Sequence, residues 1–144
     1  KPSFGNILVW KVVYETEQRY YVDAVRTGLS TLVYPGDSLE KLELTRDFPW
    51  LQPDTQQALD VERFRWFSNG YLAKDPLRAN NVIDIRYSMV PNRATGLWSI
   101  QLNEDATADQ HVGYRTQRNT DSHTTQAFWN MLRGALNPES ISGE

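Results

Sequence analysis

Apolar side chains occur in short runs separated by polar turns along the first part of the chain. Residues 7–14 are apolar at both odd and even positions, which is typical of a strand covered on both sides. The polar stretch 15–18 has the length of a hairpin loop, and residues 19–27 return as a second strand rich in Tyr and Val. The pattern predicts a β-hairpin at the start of the chain.

The remaining strands are predicted from shorter patterns. Residues 29–33 fit a short strand, and residues 34–37 fit a tight turn because Pro presets φ and Gly permits a positive φ. Residues 81–90 alternate at every position, which predicts one half-buried strand. A returning strand over 97–102 and a last short strand over 111–116 complete the set.

Two helical segments are predicted in the first half of the chain. Residues 38–46 fit a single helical turn. A longer helix is expected to start at Asp54, with Gln57 as its capping-box partner, and to stop at Gly70. Because its apolar residues spread around much of the helix circumference, a strand from Phe64 onward is the alternative.

A final helix is predicted near the end of the chain. Asp121 or Ser122 fits its N-cap, and Asn137-Pro138 fits its end. An apolar stripe at three- and four-residue spacing supports it, formed by Ala127, Phe128, Met131, Leu132, Ala135 and Leu136.

These elements predict an α+β fold, in which an antiparallel sheet of about five strands carries a middle helix and a C-terminal helix on one face. The length of 144 residues suits one domain, and 40% hydrophobic with 23% charged residues is ordinary for a globular protein. We expect residues 1–138 to form a single soluble domain and residues 139–144 to form a flexible tail.

Composition narrows the function classes. The formal charge is −3 and no run of Lys or Arg occurs, so nucleic acid is not an expected partner. The absence of cysteine excludes a disulfide framework, a thiol nucleophile and a thiolate metal site. The chain starts at Lys1 without an initiator methionine, which we interpret as an excised piece of a longer protein.

Sequence motifs for catalysis or metal binding are missing. His111 and His123 belong to no HxH, HxxxH or HExxH pattern, and we expect them to be surface or capping residues. Neither a GxSxG elbow nor a glycine-rich phosphate loop occurs. The sequence therefore predicts no catalytic residue and no metal or other cofactor within this chain.

Charged and aromatic residues supply the candidates for binding. Asp84 and Arg86 share one parity of the third clear strand, and Asp23 and Arg26 lie in the second, so the four could bind an anion or orient a substrate. The favoured alternative is that they form ion pairs on a solvent face. Trp66 belongs to an aromatic group that could line a groove, although such groups more often form core; its other members are Phe48, Trp50, Phe67 and Tyr71.

Four segments resemble the C-terminal soluble region of YdjM-like membrane-bound metal-dependent hydrolases. The segments are KPSFGNILVWKVVYE, RYYVDAVR, FRWFSNGYL and IDIRYSMVPN, and the resemblance extends over most of the chain, from about Lys1 to Leu102. The residues that fit the family pattern are Pro2, Asn6 and Trp10 in the opening of the domain and Asp84, Arg86 and Tyr87 in the later strand.

The resemblance implies an accessory domain without chemistry of its own. It implies a covalently attached, membrane-embedded N-terminal region at the inner (plasma) membrane, and a divalent metal held there by ligands outside this chain. It carries no catalytic residue onto this sequence, and it leaves open the substrate and the side of the membrane. A small-ligand or lipid-headgroup binding module is the alternative, and a self-associating structural domain is a third possibility.

Overall fold

The computed structural model describes residues 2, 7–116 and 122–136, which form two four-stranded antiparallel sheets and three helices. In chain order the elements are β1 (Val9–Glu15), β2 (Arg19–Arg26), β3 (Leu32–Tyr34), β4 (Ser38–Glu40), α1 (Leu44–Asp47), α2 (Gln56–Phe67), β5 (Leu72–Lys74), β6 (Asn81–Asp84), β7 (Trp98–Gln101), β8 (Gly113–Thr116) and α3 (Ser122–Arg133). The α+β class is confirmed, but the prediction of one sheet with about five strands is wrong.

The chain forms two compact units. The first comprises Lys1–Ser38, Ser88–Ala94 and Arg118–Glu144, and the second comprises Leu39–Tyr87 and Thr95–Gln117. The prediction of a single domain over 1–138 stays a prediction, and the predicted tail 139–144 lies outside the described residues.

The sheet of the first unit is built on the predicted hairpin. β1 and β2 pair antiparallel from Val9 with Arg26 to Glu15 with Tyr20, and both β3 and β4 pair with β2. The inner face packs against α3, and the buried cluster comprises Val9, Ala24, Tyr34, Val90, Ala127 and Met131. The outer face stays exposed, so the prediction that β1 is covered on both sides is wrong.

Helix α3 is confirmed, but it ends earlier than predicted. Gly134 has a φ of +82°, and its N–H donates to Met131 O while the N–H of Ala135 donates to Asn130 O. A glycine in this conformation stops a helix because no Cβ opposes the left-handed backbone. Arg133 is therefore the last helical residue, and the predicted stop at Asn137-Pro138 lies outside the described residues.

Helix α2 confirms the predicted helix and overturns the alternative strand from Phe64. The N-cap is Thr55 and not Asp54, because Thr55 Oγ1 accepts the N–H of Ala58. Gln57 forms no capping box, since its side-chain amide makes two 2.8 Å hydrogen bonds with the backbone of Asn103.

The second sheet runs in the order β5-β6-β7-β8, and the predicted strands over 97–102 and 111–116 are confirmed in shorter form. Its core packs α2 and the α1 region onto the sheet through Leu42, Phe48, Val61, Phe64, Leu72, Val82, Ile100 and Leu102. The predicted helical turn over 38–46 is partly wrong, because β4 occupies its start and α1 begins only at Leu44. β5 has no predicted counterpart.

Strand β6 ends at Asp84, six residues before the predicted end. Asp84 Oδ1 accepts the N–H of Arg86 at 3.0 Å, which is an Asx-turn that takes this N–H away from a strand ladder. All four strand residues are buried, and so is Ile85. The predicted half-buried strand over 81–90 is therefore a short, fully covered strand followed by a turn.

Candidate functional site

Asp84 and Arg86 form the most enclosed ion pair among the residues of the second unit that the structure describes. The Asp84 side chain is fully buried, and only 13% of the Arg86 side chain is exposed. Arg86 Nε lies 3.0 and 3.1 Å from the two carboxylate oxygens, and Nη2 lies 2.6 Å from Oδ2. The hydrogen bonds to Asp84 raise the pKa of the Arg86 guanidinium above its ordinary value, so this group stays cationic.

Arg86 also stabilises the end of a helix. Its Nη2 donates to the carbonyl oxygen of Phe67 at 3.0 Å, and Phe67 is the last residue of α2. Helix C-terminal carbonyls have no partner within the helix and carry partial negative charge, so a cation there is favourable. The ion pair therefore fixes the turn after β6 to the end of α2.

Two aromatic rings lie beside this guanidinium, and a third ring contacts both of them. Arg86 Cζ lies 5.8 Å from the ring centroid of Phe67 and 5.3 Å from that of Tyr87. The Trp98 ring meets both rings edge to face, at 6.1 and 5.0 Å. We call Arg86 with these three rings the guanidinium cluster. Cation–π contacts of this kind hold the guanidinium in one orientation.

Asp23 and Arg26 belong to the first unit, whereas Asp84 and Arg86 belong to the second. Asp23 accepts the Tyr14 hydroxyl and the N–H of Gly36, each at 3.0 Å. The hydrogen bond to Asp23 raises the pKa of Tyr14. The two predicted acid and base pairs are thus two separate local arrangements.

Arg26 repeats in the first unit what Arg86 does in the second. Its Nε donates to Leu132 O at 2.9 Å, and Leu132 lies in the last turn of α3. Both arginines that the sequence marked as binding candidates therefore donate to carbonyls at helix C-termini.

Trp66 lies on the outer side of α2 and is 85% exposed. The other members of the aromatic group differ in exposure, since Phe48 is buried and Phe67 is half exposed. The favoured prediction, that this aromatic group is simply core, is therefore wrong for Trp66.

Asp60 is a polar centre that the sequence predictions missed. This buried carboxylate lies within hydrogen-bonding distance of Gln56 Nε2, Arg63 Nη1, His111 Nδ1 and the N–H of Val112, at 2.9, 3.1, 2.8 and 3.2 Å. Burial opposes ionisation, but the hydrogen bonds outweigh it and hold the pKa of Asp60 below its ordinary value. The sequence feature that could have indicated Asp60 is that position 60 shares a helix face with Gln57 and Phe64.

Lys11 is the second missed residue. It lies on the buried face of β1 with Val9, and its Nζ donates to Ser88 Oγ and to Arg93 O, both at 2.7 Å. Alternation along β1 indicates this position, because Lys11 falls between Val9 and Val13 on the same face. His111 and His123 are both exposed, and His111 bonds to Asp60.

The outer face of the first sheet carries a row of exposed apolar side chains. Trp10, Val12, Tyr14 and Val33 are 37%, 37%, 49% and 59% exposed, and the Tyr14 ring stacks on Tyr21 with centroids 5.3 Å apart. We call these residues the outer sheet face. Contiguous apolar surface of this kind marks contact with another molecule more often than a scattered exposed residue does.

No family model, curated protein or solved structure matches the chain. The resemblance to membrane-bound hydrolases therefore stays a prediction. Within the described residues, no helix has the length and apolar character to cross a membrane, and no three His, Cys, Asp or Glu side chains are grouped so that they could hold a metal ion.

Proposed function

We propose that this chain is an accessory domain of a membrane-bound metal-dependent hydrolase whose metal centre lies outside it. In this proposal the domain is attached to a membrane-embedded region at the inner membrane and contacts that region or its substrate. The resemblance of the four segments motivates the proposal, and the outer sheet face is the observation that carries it.

The outer sheet face supports a contact role because of its composition. Trp, Tyr and Val side chains are exposed there on β1 and β3, the two strands that flank β2, and aromatic residues are enriched where proteins meet other molecules. Asp23 lies on the same face but is bonded to Tyr14 and Gly36. The surface therefore offers a mostly apolar area with one carboxylate already held in place.

Three basic residues, the candidates Arg26 and Arg86 together with Lys11, support an accessory role because they bond to the chain's own backbone. Arg26, Arg86 and Lys11 donate to the carbonyl oxygens of Leu132, Phe67 and Arg93. These bonds stabilise two helix ends and a loop, so the three residues have a structural role in the fold.

Fractionation of cells with an antibody against this chain tests the proposal. We expect one immunoreactive band larger than 16.6 kDa that stays in the membrane pellet after an alkaline carbonate wash. A band of about 16.6 kDa in the soluble fraction would overturn the proposed attachment.

Zinc titration of the purified chain tests where the metal centre lies. The proposal expects no stoichiometric binding by calorimetry, and elemental analysis checks the purified chain for metal. One tightly bound ion per chain would place a metal centre within the chain and would contradict the accessory role.

The second candidate function is a small-ligand or lipid-headgroup binding module without catalysis. The guanidinium cluster favours it, because a rigidly held cation lies among aromatic rings that are partly exposed. Because Arg86 is paired with Asp84, its charge is not free to bind an anionic ligand. This function therefore depends on the guanidinium N–H groups that remain available for hydrogen bonds.

A further inference from the structure

The geometry points to a binding site at the guanidinium cluster for an amphiphile with a carboxylate or phosphate head and an apolar chain. Arg86 would donate to an oxygen of the head, and the half-exposed ring of Phe67 would pack against the chain. This inference goes beyond the accessory role and holds whether or not the chain is attached to a membrane region.

The first argument is the hydrogen-bond count of the guanidinium. A guanidinium has five N–H donors. The Nε donor and the Nη2 group are used by Asp84 and Phe67, whereas Nη1 has no acceptor among the residues that the structure describes. Nη1 is not among the buried side-chain atoms without a partner, so water can reach this donor, and an incoming oxygen can replace that water without disturbing the bonds to Asp84 and Phe67.

The second argument is the aromatic surface beside the guanidinium of Arg86. Phe67 and Tyr87 lie 5.8 and 5.3 Å from the guanidinium, and Trp98 supports both rings. Phe67 is 50% exposed although it belongs to the cluster, so its ring offers apolar surface directly beside the polar donor. A ligand with an oxyanion next to an alkyl chain matches this arrangement.

Charge decides how such a ligand would bind. Asp84 already neutralises Arg86, so long-range attraction contributes little and the binding should depend weakly on salt. Affinity should instead depend on the alkyl chain, with about fourfold tighter binding for each buried CH₂ group. This combination separates the site from a surface patch that attracts any anion.

The experiment is titration of the purified chain with decanoate and decyl phosphate below their micelle concentrations, with decyl glucoside as the uncharged control. We expect both anionic probes to bind at least tenfold more tightly than the glucoside. The Arg86 Nε–H signal in ¹⁵N NMR spectra should shift during the titration. Absence of binding, or binding that leaves this signal unchanged, would overturn the inference.

Variants of two adjacent residues locate the site without removing the ion pair. Phe67→Ala should weaken decyl phosphate binding at least tenfold, whereas Trp66→Ala, which removes the more exposed neighbouring ring, should leave it unchanged. Equal effects of the two variants would contradict the assignment.

A parallel titration with phosphatidylcholine vesicles, with and without phosphatidic acid, distinguishes the two sources of the ligand. Binding of the monomeric probes alone assigns the site to free amphiphiles. Additional binding to the acidic vesicles, lost in Phe67→Ala, assigns it to a lipid headgroup. Vesicle binding that survives Phe67→Ala, without binding of the monomers, would overturn the inference.

Discussion

Lys11 Nζ lies 2.7 Å from the carbonyl oxygen of Arg93, a residue 82 positions later in the chain. The same ammonium group donates to Ser88 Oγ, so one buried cation contacts both ends of the segment Ser88–Ala94. Asp37 adds two more bonds, to Arg93 Nη1 and to the N–H of Ala94. These contacts explain why a segment inserted between two parts of the second unit belongs to the first.

Replacing Lys11 with Met should lower the free energy of unfolding by about 1–3 kcal/mol, because buried oxygens lose their donor. Urea denaturation measures the change. Ser88→Ala should cost less, since Lys11 keeps its bond to Arg93 O. The double variant should cost less than the sum of the two, because the residues contact each other. Additive effects would show that the observed contact contributes nothing.

Gly36 is required for close packing and not for an unusual φ. The described glycines with positive φ are Gly70 and Gly134. A Cβ on Gly36 would overlap the carbonyl oxygens of Asn92 and Val22. We therefore expect Gly36→Ala to lower the free energy of unfolding by about 3 kcal/mol or more.

The control for Gly36 is Gly113→Ala in β8. There the nearest atom lies 3.7 Å from the added methyl group, which is an ordinary contact distance. This variant should leave the urea midpoint nearly unchanged. Similar losses in both variants would contradict the close approach of the turn and the segment Ser88–Ala94.

The buried pair of Asp84 and Arg86 should contribute far more to stability than an exposed pair does. Asp84→Asn leaves a largely buried guanidinium without its counter-charge and should cost about 3 kcal/mol. Glu62→Gln removes the partner of Arg65 in an exposed pair on α2 and should cost less than about 1 kcal/mol. Chemical denaturation of both variants compares them, and equal losses would contradict the structural role of the pair.

Local sequence patterns predicted the parts of this fold that local interactions determine. The hairpin of β1 and β2 follows from alternation around a polar turn, and α2 stops where Asn69 and Gly70 take positive φ. The division into two sheets was not predictable, because it depends on which short strands pair across the chain. β5 has three residues, too few to give a pattern of its own.

The contacts of the candidate site could not be predicted from local patterns either. The sequence marked Arg26 and Arg86 as basic residues near acids, which is a local property. Their carbonyl partners lie 106 and 19 positions away, so no spacing in the sequence indicates them. Lys11 could have been found, because it is a charged residue in a strand that was predicted to be covered on both sides and therefore needs partners. Asp60 could have been found only from its position on one helix face with Gln57 and Phe64.

The outer sheet face should tolerate polar substitution while the inner face does not. Val12→Thr keeps the β-branched shape at an exposed position and should change the free energy of unfolding by less than about 0.5 kcal/mol. Val22→Thr buries a hydroxyl on the other face of the same sheet and should cost about 1–3 kcal/mol. Val12→Thr should also reduce binding of a hydrophobic dye. A large loss in Val12→Thr would show that this face is packed.

Asp60 should make the stability of the second unit depend on pH in the acid range. Its pKa in the folded chain lies below the ordinary value, which is about 3.9 in an unfolded chain. Ionised Asp60 therefore stabilises the fold fully above about pH 4. This contribution is lost as the pH falls through the lower folded value, because the unfolded chain then takes up the proton more readily.

Urea denaturation between pH 7 and pH 3 measures this dependence. Asp60→Asn should be less stable at pH 7, and its stability should fall less on acidification, because the titrating group has been removed. Asp54→Asn, at an exposed position just before α2, should keep the acid-dependent loss of the unmodified chain. A parallel fall in Asp60→Asn and the unmodified chain would mean that the bonds from Gln56, His111 and Val112 do not favour the ionised carboxylate.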